Sequence, residues 1–138
     1  MNLNTTKVSE KALHIGLLLM RFALGGLMIA NHGWIKVINY ETLKVDFIDF
    51  MGVGPHVSLI LAILAEILCS ILLIFGLYTR VALLPLIITM LVAMSAHSWD
   101  IFGEGELGFI YLLCFVFLFL TGPGEKSIDA RMNKRTYF

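Results

Sequence analysis

Four apolar stretches, residues 13–33, 56–77, 81–97 and 107–121, set the terms on which this chain folds. Each comes near the ~20 residues that carry a helix across a bilayer once interfacial residues are counted. In hydrocarbon every backbone N–H and C=O needs an internal partner, which a helix supplies within its own segment. Composition agrees: 59% of residues are hydrophobic and 14% charged, against about 25% charged in soluble domains. The fold class expected is all-α, a four-transmembrane-helix bundle, in one domain that fills the 138 residues. A formal net charge of zero gives no sign of nucleic acid or of an acidic partner.

The connections differ in character. Only Tyr78, Thr79 and Arg80 separate the second and third spans, which forces a tight antiparallel hairpin. Residues 98–106 join the third and fourth spans and carry Asp100, Glu104 and Glu106 but no Lys or Arg. Within the first connection, residues 39–51 place Tyr40, Leu43, Phe47 and Phe50 at helical spacing opposite Glu41, Lys44 and Asp49. That pattern predicts a short amphipathic interfacial helix. Gly52, Gly54 and Pro55 then turn the chain into the second span.

Orientation follows from Lys and Arg placement. Lys7, Lys11, Arg80, Lys126, Arg131, Lys134 and Arg135 fall on one side, and Lys36 and Lys44 on the other. Both termini are therefore expected in the cytoplasm, with Trp34 and Trp99 at the outer interface and Tyr78 at the inner one. The tail, residues 122–138, is basic, and from Ser127 onward it reads as a capped helical turn lying on the surface. Arg21 inside the first span, and no A-x-A site before Asn31, argue that this span is retained rather than cleaved as a signal peptide. Cys69 and Cys114 lie in apolar runs with no CxxC pairing and read as small hydrophobes, the alternative being a redox pair across two helices.

Arg21 and Glu66 break consecutive apolar spans. A charge at mid-bilayer costs about 3 kcal/mol on insertion scales, so such residues face the protein interior and pair. Counting 1.5 Å per residue puts both near the middle of their spans, at depths that allow direct pairing. Arg21, Gly25, Met28 and His32 share one face of the first span, and Gly25 with Gly26 permits close helix approach. Ser70 follows Glu66 by one turn, and Met90, Met94 and His97 form a stripe on the third span. His32, Lys36, His97 and Glu106 gather near the outer end as a polar mouth. The plain alternatives are a pair that only locks two helices, methionines that only pack, and histidines that only meet interfacial water. His14 and His56 read as interfacial residues. No nucleotide loop, nucleophile elbow or zinc-protease motif occurs, and no His spacing calls for haem or another metal.

The stretch LLLMRFALGGLM, the His32-Gly33-x-x-Lys36 step, Ala65-Glu66, the turn Gly76 to Arg80, the run from Met90 to His97, Glu106, and Gly122-Pro123-Gly124-x-x-Ser127-x-Asp129 form an ordered set. With these the chain resembles the DoxX family of small bacterial four-helix inner-membrane proteins, from Leu17 to Ala130. The resemblance implies a multi-pass protein of the bacterial inner membrane, tied to an oxidoreductase system. It implies a quinone as cofactor, with a soluble or membrane redox partner and the lipid bilayer as surroundings. Candidate catalytic residues are Glu66, His32, His97 and Glu106; candidate cofactor-binding residues are Arg21, Lys36 and Met94. Arg80 belongs to the same matched set. The chain departs from the family's thiosulfate- and thiol-linked members by carrying no soluble domain and no cysteine motif. Three readings stay open: a quinone-linked component, a small-molecule carrier or channel, and a scaffold for partner enzymes. Glycines on the first span also allow a homodimer.

Overall fold

The computed structural model describes residues 8–136, with side chains through Lys134. Lys7 and the Arg135 side chain, both counted in the charge bias, lie outside that description. The described residues form helices and connections without strands. In order the helices are α1 (Glu10–Ile38), α2 (Tyr40–Asp46), α3 (Pro55–Phe75), α4 (Thr79–Ala96), α5 (Glu106–Thr121) and α6 (Ile128–Thr136). By length and composition α1, α3 and α4 are able to cross a membrane, whereas α5 is a shorter apolar helix of 16 residues.

α1 outruns the expected residues 13–33 at both ends, because Glu10, Lys11 and Ala12 propagate a helix well and no proline intervenes before Asn39. α3 begins with Pro55 in its first turn and stops at Gly76, whose φ of 66° suits a residue without Cβ. Leu77 N–H bonds Leu72 O and Gly76 N–H bonds Leu73 O, so paired bonds close the helix end before α4 turns back. One widened π turn interrupts each of the first two long helices, at Ile29–Gly33 in α1 and Ala65–Cys69 in α3, and the two turns pack together. Such turns insert an extra residue and frequently mark functional positions.

We call basal the end where α1 starts, α5 ends and α6 lies; the opposite end is distal. α1 runs antiparallel to α3 in close contact. A Cβ at Gly25 would lie 2.6 Å from Ile74 Cγ1 and 3.0 Å from Ser70 O, while one at Gly26 would meet nothing within 4 Å. Gly25 therefore admits α3, and Gly26 has no such role. Gly25→Ala is expected to cost about 1–3 kcal/mol by overpacking. Gly26→Ala should be neutral or favourable by up to about 1 kcal/mol through helix propensity. Denaturation in mixed micelles tests the contrast, and equal effects would refute this reading of the contact.

The core joins Leu17 and Met28 of α1, Leu73 of α3, Leu83, Leu86 and Met90 of α4, and Tyr111, Phe115 and Leu118 of α5. Outside it, Leu19, Phe22, Val81, Leu84 and Leu120 are exposed, as helices solvated by lipid require. Exposed charge is strongly polarised among the described residues. The basal end carries Lys11, Arg80, Lys126, Arg131 and Lys134 against Glu10 and Glu125. The distal end carries Glu41, Asp46, Asp49, Asp100, Glu104 and Glu106.

The amphipathic helix exists as α2 but ends at Asp46, short of residue 51, because Phe47 turns extended (φ −69°, ψ 155°). Met51, Gly52 and Gly54 then take positive φ, which reverses the chain into α3. Glu41 accepts a hydrogen bond from Lys44 one turn away, which raises the Lys44 pKa.

Candidate functional site

Glu66 sits on the π turn of α3 and is 1% exposed. Its partner is Lys36, from the last turn of α1, whose Nζ donates to Oε1 at 2.8 Å and to Oε2 at 2.7 Å. Both oxygens thus hold short, charge-assisted bonds, the stronger kind of hydrogen bond. Gly33 makes this approach feasible: a Cβ there would stand 2.6 Å from Ile67 Cγ1 and 3.3 Å from Glu66 Cβ. The facing π turns therefore set the carboxylate and the ammonium at one level.

The ion pair forms part of the wall of a cavity of about 370 Å³ between α3 and α4. Leu61, Ala62, Ala65, Pro85, Ile88, Val92, Ala93 and Ala96 make most of the wall, and the small side chains among them create the space. Phe47, Ile48 and Phe50, from the segment after α2, line another side of it. Phe50 N–H donates to Ser58 Oγ at 2.8 Å, and that hydroxyl donates to Gly54 O at 2.8 Å. Pro85 frees a backbone position inside α4, and its carbonyl accepts from Thr89 Oγ1 at 2.8 Å. Ser58, Thr89 and His97 supply the remaining polar lining.

His32 lies one turn before Lys36 on the same helix. Its ring meets Tyr111 edge-on, with centroids 5.4 Å apart and planes at 87°. His32 Nε2 is enclosed without a partner among the described residues. A neutral imidazole offers there either a donor or an acceptor, depending on its tautomer.

The structure thus brings Lys36, Glu66 and His97 to one cavity, with His32 a turn away. His97 Nδ1 lies 3.2 Å from Glu104 Oε2, so its acidic neighbour is Glu104 rather than Glu106. Glu106 is exposed in the first turn of α5, outside the cavity lining. Met94 is buried beside Gly108 and is also absent from that lining. Cys69 and Cys114 are both free. His14 accepts the Glu125 N–H, and His56 meets the Tyr40 hydroxyl at 3.1 Å.

Arg21 does not reach Glu66. It is fully buried at the basal end, and Nη2 donates to Lys126 O at 2.6 Å. The register explains this placement. Gly33 faces Glu66 and Ile67, Gly25 faces Ser70 and Ile74, and Arg21 consequently faces Gly76. Ten residues separate Gly76 from Glu66, roughly 15 Å of helix. The depth count took α1 to end near residue 33; the helix continues to Ile38, and its distal third packs beside Glu66.

Tyr111, the contact of Asp129 with α4 and the packing role of Gly33 were not read from the sequence. Tyr111 carried a faint signal as the one hydroxyl-bearing aromatic in an otherwise apolar run. Asp129 reaches the start of α4: its carboxylate accepts from Tyr78 N–H at 2.7 Å, Thr79 N–H at 2.9 Å and the Thr79 hydroxyl at 2.7 Å. Ser127 does cap α6, accepting the Ala130 N–H at 3.1 Å.

Comparison with known proteins bears on these residues. The DoxX family profile matches residues 16–99, which include Arg21, His32, Lys36, Glu66 and His97. The inner membrane protein YqjF of Escherichia coli (strain K12) is 34% identical over 131 residues, 91% of this chain and 98% of that protein. The uncharacterized membrane protein Rv3486 of Mycobacterium tuberculosis (strain ATCC 25618 / H37Rv) is 33% identical over 85 residues, covering 51% of this chain and 52% of its own length. No solved structure matches. With apolar helices of membrane-crossing length and a family match over more than half its residues, this membrane protein belongs to the DoxX family.

Proposed function

We propose that the chain is the membrane component of an oxidoreductase system, with the α3–α4 cavity receiving the ring of a quinone or a similar lipophilic redox carrier. The observation that carries this reading is a Lys36–Glu66 pair, its carboxylate buried, in the wall of a mostly apolar cavity. The residues fit such a group. About 370 Å³ suits one substituted ring, and apolar walls with a few placed polar groups are the usual form of a small-molecule site. A bound quinone would supply hydride- or electron-accepting chemistry with proton uptake at its oxygens.

The chain's residues orient that ring and handle protons. The Lys36 ammonium has three donors, of which Glu66 takes two, leaving one for a carbonyl oxygen in the cavity. Glu66 holds the ammonium in place and accepts a proton when that contact shifts. His97 offers a second donor at the rim, and His32 Nε2 a site that receives or releases a proton near Lys36. Phe47 and Phe50 exclude water from the ring. Both termini lie in the cytoplasm on this reading, with four crossings counting α5, as the basal surplus of Lys and Arg supports.

Lipid extracted from the purified protein tests the proposal by its quinone content. The wild type should retain quinone, and the charge-free pair Lys36→Met/Glu66→Met should lower retention about tenfold, the worth of one charge-assisted hydrogen bond. Substituting the exposed Asp46 by Asn should change nothing. Wild type that carries no quinone, or equal content in all three proteins, would leave a carrier or a scaffold as the better account.

A further inference from the structure

A second cavity, of about 580 Å³, opens at the basal end beside the turn between α3 and α4. Arg80, Tyr78, Val81 and Asn133 line it, above the Gly122-Pro123-Gly124 turn. Of its two carboxylates Asp129 is committed to the fold, while the Glu125 side chain is 65% exposed. Asp129 gives both oxygens to the start of α4, and Glu125 Oε2 lies 3.8 Å from His14 Nε2. Arg80 is braced by its Nε, which donates to Phe119 O at 3.2 Å, while its two Nη groups have no partner among the described residues.

We propose that this cavity binds the head-group phosphate of an anionic phospholipid, with Arg80 as the phosphate ligand and an acyl chain lying over Val81, Leu84 and Leu120. Four observations converge on that occupant. The cavity lies where the apolar helices α4 and α5 give way to polar turns, which is head-group depth. Val81 lines it and is 64% exposed, and Leu84, one turn on from Arg80, and Leu120, next to the lining Thr121, are 49% and 72% exposed, a surface suited to hydrocarbon. Arg presents its free planar edge, which matches a phosphate better than a point charge does. Tyr78 is exposed at the same level, as interfacial aromatics are. The head group is anionic rather than zwitterionic because the basal end holds surplus exposed cations, Lys11, Lys126, Arg131 and Lys134 beside Arg80, against Glu10 and Glu125. This site is separate from the α3–α4 cavity and does not rest on its proposed function.

Native mass spectrometry of the full chain, released from detergent, tests the assignment with three probes: dioleoyl phosphatidylglycerol, dioleoyl phosphatidylcholine and inorganic phosphate. The wild type should hold phosphatidylglycerol about tenfold more tightly than phosphatidylcholine, the effect of one good charge contact. Arg80→Gln should abolish that preference. Asn133→Asp should abolish it as well, and because Asn133 is exposed this substitution places a negative charge in the cavity without disturbing the fold. Millimolar inorganic phosphate should fail to displace the lipid. Equal retention of the two lipids by the wild type, or a preference that survives either substitution, would overturn the proposal. Displacement by phosphate alone would also overturn it, showing an ion site in place of a lipid site.

Discussion

Lys36→Met is expected to destabilise the folded protein by about 3–5 kcal/mol, the cost of leaving a buried ionic partner uncompensated. Glu66 is the group left behind. Its side chain is 2% exposed, and both of its oxygens depend on Lys36. The reverse change should cost less. The Lys36 side chain is 19% exposed near the distal end of α1, so without Glu66 it swings its ammonium toward the interface. Removing both charges in Lys36→Met/Glu66→Met should recover most of the loss, because the desolvation penalty vanishes with the pair. Unfolding in mixed micelles across all four proteins measures the coupling. A Lys36→Met loss under about 1 kcal/mol would mean that water reaches Glu66 and the pair is a surface contact in effect.

Asp129→Ala should cost about 2–4 kcal/mol, since one carboxylate serves three donors and hydrogen bonds to charged groups are worth more than neutral ones. Two of those donors are backbone N–H groups at the start of α4, which have no partner inside that helix. Asp129 is therefore the N-terminal cap of α4, although it lies 50 residues further along the chain. Its own N–H donates to Gly76 O at 2.9 Å, and Arg21 holds Lys126 O beneath the same turn. Losing the carboxylate should release residues 122–136 as a unit, seen as faster amide hydrogen exchange there while α3 and α5 keep theirs. Asp129→Asn, which retains one acceptor, should lose less than half as much. Unchanged exchange in the tail would show that Arg21 and Ser127 hold it unaided.

The helical architecture was legible because hydrophobic length leaves few alternatives in lipid, where even the internal Pro85 of α4 does not end the helix. Gly25 was legible through its face, shared with Arg21 and Met28. Lys36 and His97 were legible as part of an outer polar mouth and Glu66 as a charge inside an apolar span, but the partner was not: the depth count pairs Glu66 with Arg21, and the structure pairs it with Lys36. Partner choice depends on register, and register depends on where α1 ends and on two π turns that leave no mark in composition. Phe47 and Phe50 show the same limit. Their helical spacing fits a lipid-facing stripe equally well, and only the extended backbone at Phe47 turns them over the cavity. Asp129 was illegible as a cap because a capping signal is sought within a few residues of the helix it serves.

The buried face of α1 advances from Leu17 to Arg21, Gly25 and Met28 in steps of three and four, and then jumps five residues to Gly33. The π turn at Ile29–Gly33 absorbs the extra residue, so Gly25 and Gly33 both face α3. The slip exists only along the sequence: a ruler of three- and four-residue steps run on from Leu17 would put His32 where Gly33 stands. The widened turn thus works as a vernier, shifting the count by one position so that the distal contacts with Glu66 fall on the face the basal contacts already use.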